Sequence, residues 1–460
     1  MAPPAVLEPP MAGDQARVHV IMNHGHQDLV QAVAFNSYGD RCATGSVDGK
    51  IRVFNRHQDG TWRQCDNWTA HGGDILELQW LPPTIFPNLV ASLGIEGRFK
   101  LWVEDPAAAP GKRFSQRNKE NAKAAYEHKS RGGAPYRSFS LRHNDETRHT
   151  HLALLAADGV LDVLENEQPE NLADFNPVDR LVVCNPRPAR GEETSFRVRF
   201  DPNPDPCYSA LRAGVQTDSL ALVVAAMRTV RIYRSRDAIS SAAGPSAREF
   251  YLAAEISGHG GLVRDVAWAA GNIRGYDIIA TACQDGFVRV VRLDTPFSPD
   301  DGKSWSSSDL VKSGSGTGGT GGYDASGGRS GTSRGSRNSL QQQQQQQQQQ
   351  SQHPVGLPNP PPARSVLGSE LAISSANADR VMTGQPGEAR HVVRELSRLE
   401  SHRTPVWRVG FDDDGQILGS VGDDGKLMCY RQTPDGSWAK SSELAMVKMR
   451  MAVPQTEPGS

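Results

Sequence analysis

The sequence predicts an all-β fold, a ring of six four-stranded sheets of the β-propeller kind. Three observations carry that expectation. A unit of apolar strand, tight polar turn and β-branched strand recurs six times. The turn is usually built on Asp-Gly, as in RCATGSVDGKIRVF (Arg41 to Phe54) and QILGSVGDDGKLMCY (Gln416 to Tyr430). One strand-like segment, RVHVIM (Arg17 to Met22), is left over. Repeats of this kind bury their faces only against their neighbours, so they close into rings or stack into solenoids.

Each sheet needs four antiparallel strands, a to d from the channel outward, assigned by alternation and turn signals. Repeat one reads as Val30–Asn36, RCATGS, KIRVF and Thr61–Ala70. Repeat two reads as Ile75–Trp80, Leu89–Gly94 and Arg98–Val103, with its outer strand past a loop near Lys123–Lys129. Repeat three has Tyr136–Leu141, the hairpin Thr150–Glu165 and an outer strand near Asp179–Cys184. Repeat four has Ser195–Phe200, Ser219–Ser235 and Glu249–Ser257. Repeat five has Val263–Ala269 and Ile278–Leu293, and finds its outer strand only at His391–Glu400. Repeat six has Val406–Phe411, Gln416–Tyr430 and Ser437–Met446.

The break inside repeat five is Ser/Gly-rich, then a run of glutamines (Gln341 to Gln350), then Pro-rich. Such composition buries too little apolar surface to offset chain entropy. The expected organisation is therefore a disordered 1–14, blades one to five over 15–302, a disordered insertion over 303–390, the last strand of blade five and blade six over 391–446, and a disordered 447–460. A basic stretch between Lys112 and Arg131 reads as a solvated loop, because Glu120 and Glu127 interrupt it and no aromatic ladder accompanies it.

Composition narrows function. The 460 residues carry a formal net charge of −2, which gives no electrostatic drive toward nucleic acid or an anionic membrane. The start, MAPPAVLEPPMAGDQ, lacks a basic segment and a long apolar run, so no signal peptide is expected. The longest apolar stretch, Leu220 to Met227, is far short of the roughly 20 residues a spanning helix needs. Six scattered cysteines (Cys42, Cys65, Cys184, Cys207, Cys283 and Cys429) form no C-x-x-C pair, against a disulfide scaffold. No G-x-S-x-G or phosphate loop is present, and the His-x-His pairs at His24/His26 and His149/His151 have no cysteine or carboxylate at ligand spacing nearby. No catalytic residue, metal or cofactor is expected.

Six blades use twenty-four strands. The leftover strand leaves two readings. In one, Arg17–Met22 is a twenty-fifth strand, and a partner donating three more completes a seventh blade by strand addition. Val18, Val20 and Met22 then line an open seam, and Val20→Asp is expected to abolish partner binding while the blades stay folded. In the other, that strand closes blade six and Ser437–Met446 is a tail.

Particular residues add a resemblance. Gly25-His26 and Gly258-His259 precede inner strands, and His71 and His402 keep the histidine alone. Asp48, Asp158, Asp285 and Asp424 stand at the b–c turn, and Phe54, Trp102, Tyr233 and Tyr430 end strand c. These repeats resemble WD-repeats. In that family the histidine, a strand-b Ser or Thr and the turn Asp hydrogen-bond around the aromatic. The resemblance therefore implies a structural network at His26, Asp48, His71, Trp102, Asp158, His259, Asp285, His402 and Asp424. Glu96 at the turn of repeat two, and Met227-Arg228 at that of repeat four, depart from the pattern, so blades two and four are expected to lack a full network.

More narrowly, the first and last repeats, HGHQDLVQAVAFNSYGDRCATGSVDGKIRVF and HRTPVWRVGFDDDGQILGSVGDDGKLMCYRQTPDGSWAKSS, and the segment AADGVLDVLENEQPENLADF resemble Seh-type nucleoporins. That resemblance implies a non-enzymatic scaffold with an open propeller, into which an α-helical coat nucleoporin inserts a blade. It implies a place with other nucleoporins in the Y-shaped scaffold of the nuclear pore, at the nuclear envelope. It also implies partnership with helical subunits of a coat-like complex on the vacuolar or lysosomal surface that regulates TOR signalling. Direct nucleic-acid binding and membrane insertion are not implied. The alternatives are a propeller of the COPII vesicle coat and a closed propeller that reads peptides, for which Arg52, Lys100, Arg289 and Lys426 are the candidate exposed cations.

Overall fold

The computed structural model describes residues 23–85, 88–109, 111–114, 124–237, 248–271, 274–296 and 388–445. They form six four-stranded antiparallel sheets arranged as a β-propeller, with one short helix, α1 (Tyr208–Arg212).

Blade one is β1 (Val30–Phe35), β2 (Arg41–Ser46), β3 (Lys50–Arg56) and β4 (Trp62–Thr69). Blade two is β5 (Ile75–Trp80), β6 (Leu89–Gly94), β7 (Arg98–Val103) and β8 (Tyr126–Lys129). Blade three is β9 (Tyr136–His143), β10 (Thr150–Ala156), β11 (Val160–Asn166) and β12 (Asn176–Val182). Blade four is β13 (Phe196–Phe200), β14 (Ala221–Ala226), β15 (Thr229–Asp237) and β16 (Arg248–Ile256). Blade five is β17 (Val263–Trp268), β18 (Asp277–Cys283), β19 (Val288–Asp294) and β20 (Val392–Leu399). Blade six is β21 (Val406–Phe411), β22 (Ile417–Gly422), β23 (Lys426–Gln432) and β24 (Trp438–Ala445).

Strand order is sequential in every sheet, and β20 pairs with β19 across the long intervening segment. The outer strand of blade three starts three residues earlier than its apolar run, because Pro177 and Asn176 pair with Leu164 and Glu165 past a bulge. Helix α1 has no apolar period of helical length in the sequence and was not expected; it packs Ala210 with Cys207, Val215 and Ala389 beside blade four.

Inner strands follow one another round the channel as β1, β5, β9, β13, β17 and β21. Apolar clusters sit between consecutive blades, one for each junction from blade one through blade six. The b strands show the consequence: β6, β10, β14 and β18 are buried at every position, the pattern of strands covered on both faces. The tight turns need left-handed backbone, and glycine supplies it. At Gly49 (φ 73°) a Cβ would lie 2.4 Å from the His71 carbonyl oxygen, so the turn of blade one rests directly on the start of blade two. In blade four Met227 takes that conformation instead, at φ 61°. Blade four also lacks the bulge that interrupts the first residues of the other five inner strands.

Candidate functional site: blade networks and an uncovered seam

In blade one, His26 Nδ1 lies 3.1 Å from Asp48 Oδ2 and Nε2 lies 2.8 Å from Thr44 Oγ1. Asp48 also accepts the backbone N–H of Gln27 and Lys50, at 3.1 and 2.9 Å. Burial opposes the charge on Asp48, yet those two N–H groups and the His26 ring hold its carboxyl below the usual range. Burial lowers the His26 ring in turn. Blade six repeats the arrangement: His402 Nδ1 to Asp424 Oδ2 at 2.9 Å, Nε2 to Ser420 Oγ at 2.7 Å, and Ser420 Oγ to Tyr430 Oη at 3.2 Å.

Blade two corrects an expectation. Glu96 was expected to break its network, but the longer side chain reaches back, and His71 Nδ1 lies 2.6 Å from Glu96 Oε1. His71 Nε2 and Trp102 Nε1 both meet Ser92 Oγ, each at 2.8 Å. Blade four has no such network among its described residues; Thr229 Oγ1 instead donates to the Ala226 carbonyl.

Blades three and five differ from the pattern. Among the described residues Asp158 accepts the Val160 N–H, at 3.3 Å, and stands 3.7 Å from Arg187, while Tyr136 donates to Asp162 at 2.7 Å. In blade five His259 Nε2 meets Thr281 Oγ1 at 2.9 Å, but Asp285 turns to the Arg289 guanidinium at 2.7 Å and to the N–H of Gly260. These side chains tie turn to strand inside each blade, and buried polar groups so paired are structural.

The channel holds a second set. Glu77 of β5 accepts from Ser138 Oγ and the Phe139 N–H of blade three, and pairs with Arg197 and Arg199 of blade four. Asp265 of β17 accepts the Val409 N–H of blade six at 3.3 Å. Each acid meets backbone that the next inner strand turns toward the channel, so it sews adjacent blades together.

The His-x-His pairs resolve into contacts within the chain. His149 Nδ1 and His151 Nε2 lie 2.8 and 3.0 Å from Glu165 Oε1, a carboxylate that sequence distance hid and that register supplies, since His151 pairs with Glu165 across β10 and β11. Among the described residues no group of three His, Cys, Asp or Glu is set to hold a metal. The strand-c cations are engaged too: Arg52 on Gln64, Lys100 on the Ala70 carbonyl, Arg289 on Asp285 and Lys426 on Glu443.

Val18, Val20 and Met22 lie outside the described residues. The walls they were expected to join are visible. On β1, Val33 and Phe35 are 54% and 57% exposed, while Ala32 on the opposite face is buried against blade two. On β22, Leu418 and Ser420 are buried toward blade five, but Ile417, Gly419 and Val421 on the other face are only partly covered, unlike every other b strand. Leu427 and Cys429 of β23 share that face. Among the described residues no apolar cluster joins blade six to blade one. Sequence reasoning missed Val33 and Phe35. The available signal was that β1 is apolar on both faces, as are strands that become covered on both.

Comparison with known proteins agrees with the blade geometry. The family model for the WD domain, G-beta repeat, matches residues 17–55 and 393–431. Nucleoporin SEH1 of Chaetomium thermophilum is 50% identical over 98% of this chain and 99% of its own length. The chain belongs to the SEH1 nucleoporin family. Nucleoporin SEH1 of Saccharomyces cerevisiae is 25% identical over 89% of the chain and 94% of its own, and that of Schizosaccharomyces pombe 26% over 59% and 70%. The SEH1 relationship and the propeller mark a structural protein rather than an enzyme.

Proposed function

We propose that this chain is a scaffold subunit of the nuclear pore complex at the nuclear envelope, and that its seam receives a blade from an α-helical coat nucleoporin of the Y-shaped assembly. Names of the SEH1 relatives support the first part. The unmatched walls of blades one and six support the second, and that pair of half-covered faces is the observation that carries it. A propeller blade is covered on both faces by its neighbours. Three strands inserted between β1 and β22 would cover Val33, Phe35, Ile417 and Val421, with main-chain bonds adding affinity and alternate side chains setting register. The same seam would serve helical subunits of a TOR-regulating complex at the vacuolar or lysosomal surface, a reading that rests on the family resemblance alone.

Co-expression with candidate helical nucleoporins, followed by affinity capture, tests the proposal. Phe35→Asp together with Val421→Asp is expected to cut capture at least about tenfold, since each places a charge where apolar surface would be covered. Circular dichroism of the variant should match the native chain. Unchanged capture by a folded variant overturns the insertion reading.

A further inference from the structure

The outer strand of blade five stands far in sequence from the strand it pairs with, and a buried polar chain lies where it re-enters the fold. Thr295 follows β19, and His391 precedes β20. His391 is 4% exposed, and its Nδ1 lies 2.7 Å from Thr295 Oγ1. Its Nε2 lies 2.5 Å from Arg234 Nε of β15. Arg234, fully buried, donates through Nη2 to Asp277 Oδ2 of β18 at 2.9 Å. Both ends of the intervening segment thus meet at one buried point between blades four and five. The backbone joins in: His391 N–H donates to the Ala253 carbonyl and Ala389 N–H to Tyr251 Oη.

We propose that the chain Asp277–Arg234–His391–Thr295 is a proton-operated latch that fastens β20 to the ring. A guanidinium N–H can only donate, so His391 Nε2 must be the accepting lone pair and Nδ1–H must be the donor to Thr295. Only the neutral ring satisfies both contacts. A second proton would set one N–H against another and one cation against Arg234. Burial, then Arg234, hold the ring well below its ordinary 6.5.

The charged group facing it is Arg234, and around that guanidinium stand Asp277 of β18, Asp201 after β13, Tyr251 of β16 and Cys207 before α1, with Arg236 of β15 paired to Glu388 at 2.8 Å beside Tyr251. Asp201 titrates in the opposite sense: burial and the Asp277 carboxylate raise it to about 7, so it takes up a proton in the folded chain as pH falls. The latch is closed while His391 is neutral. Releasing it lets the ring reach its ordinary pKa, so acidification below about 6.5 favours release.

Hydrogen exchange of the full chain, corrected for intrinsic rates, tests this. Between pH 7.5 and 5.5, amides of 392–399 are expected to lose about tenfold protection while those of β16 and β18 keep theirs. His391→Gln retains an acceptor for Arg234 and a donor for Thr295 and should make β20 protection independent of pH. Asp201→Asn should leave the native pH response in place. Thr295→Val should speed exchange of β20 at both pH values. The proposal fails if β20 protection in the native chain does not change with pH. It fails equally if the same change persists in His391→Gln or disappears in Asp201→Asn. Should His391→Gln not fold, Thr295→Val decides: exchange of β20 indistinguishable from native overturns the latch.

Discussion

Glu96 Oε1 stands 2.6 Å from His71 Nδ1, in the place where blades one and six put an aspartate. The extra methylene does not abolish the contact; the turn is built as in blade one, with the same backbone bond closing it and glycine at φ 74° against 73°. Glu96→Ala is therefore expected to cost about 1–3 kcal/mol, the penalty for leaving a buried donor without its partner. Urea denaturation measures it. A double-mutant cycle with Ser92→Ala should show coupling, because both residues hold the same ring. A loss within error of zero would mean that the contact contributes nothing.

Blade five offers a titration. Burial, then the Arg289 cation, push the His259 ring down to about 4. The folded chain binds that proton less readily than the unfolded one, whose ring keeps its ordinary value near 6.5. The stabilising contribution of the neutral ring is complete above about 6.5 and is lost as pH falls toward 4. Arg289→Gln removes the cation and frees Asp285 to face the ring, so the His259 pKa should rise. Imidazole shifts followed by NMR across that range check the direction, and an unmoved midpoint would contradict it.

In the channel, Glu77 carries two arginines and a backbone N–H. Burial opposes its charge, but Arg199 and Arg197 hold the carboxyl below its ordinary value. Its contribution is present above about 4.5 and is lost on acidification below that. Glu77→Ala leaves both guanidinium groups without that partner and should cost about 3–5 kcal/mol. Glu77→Gln, which keeps an acceptor for the Phe139 N–H, should cost less. Equal losses in chemical denaturation would show that charge plays no part.

The blade count and strand order were legible because two local signals repeat: period-two alternation and Asp-Gly turns that demand left-handed backbone at positions such as Gly49 and Gly425. The outer strand of blade five was legible despite its distance, since repeat five otherwise lacked a fourth strand and His391–Glu400 directly precedes repeat six. What stayed hidden depended on register or on side-chain reach. Glu165 meets His151 only because β10 and β11 pair in that register, and Glu96 completes a network by length rather than by residue type. Val33 and Phe35 look in sequence like any covered strand positions; only the position of blade one at the start of the ring leaves them in solvent.

The half-bare face of β22 has a consequence for the life of the molecule outside its assembly. Apolar side chains presented to water are what chaperones and degradation machinery recognise. On the proposed insertion, a newly made copy without a blade donor would be retained or destroyed, so cellular abundance would follow the rarer of the two polypeptides and not the output of this chain's own messenger.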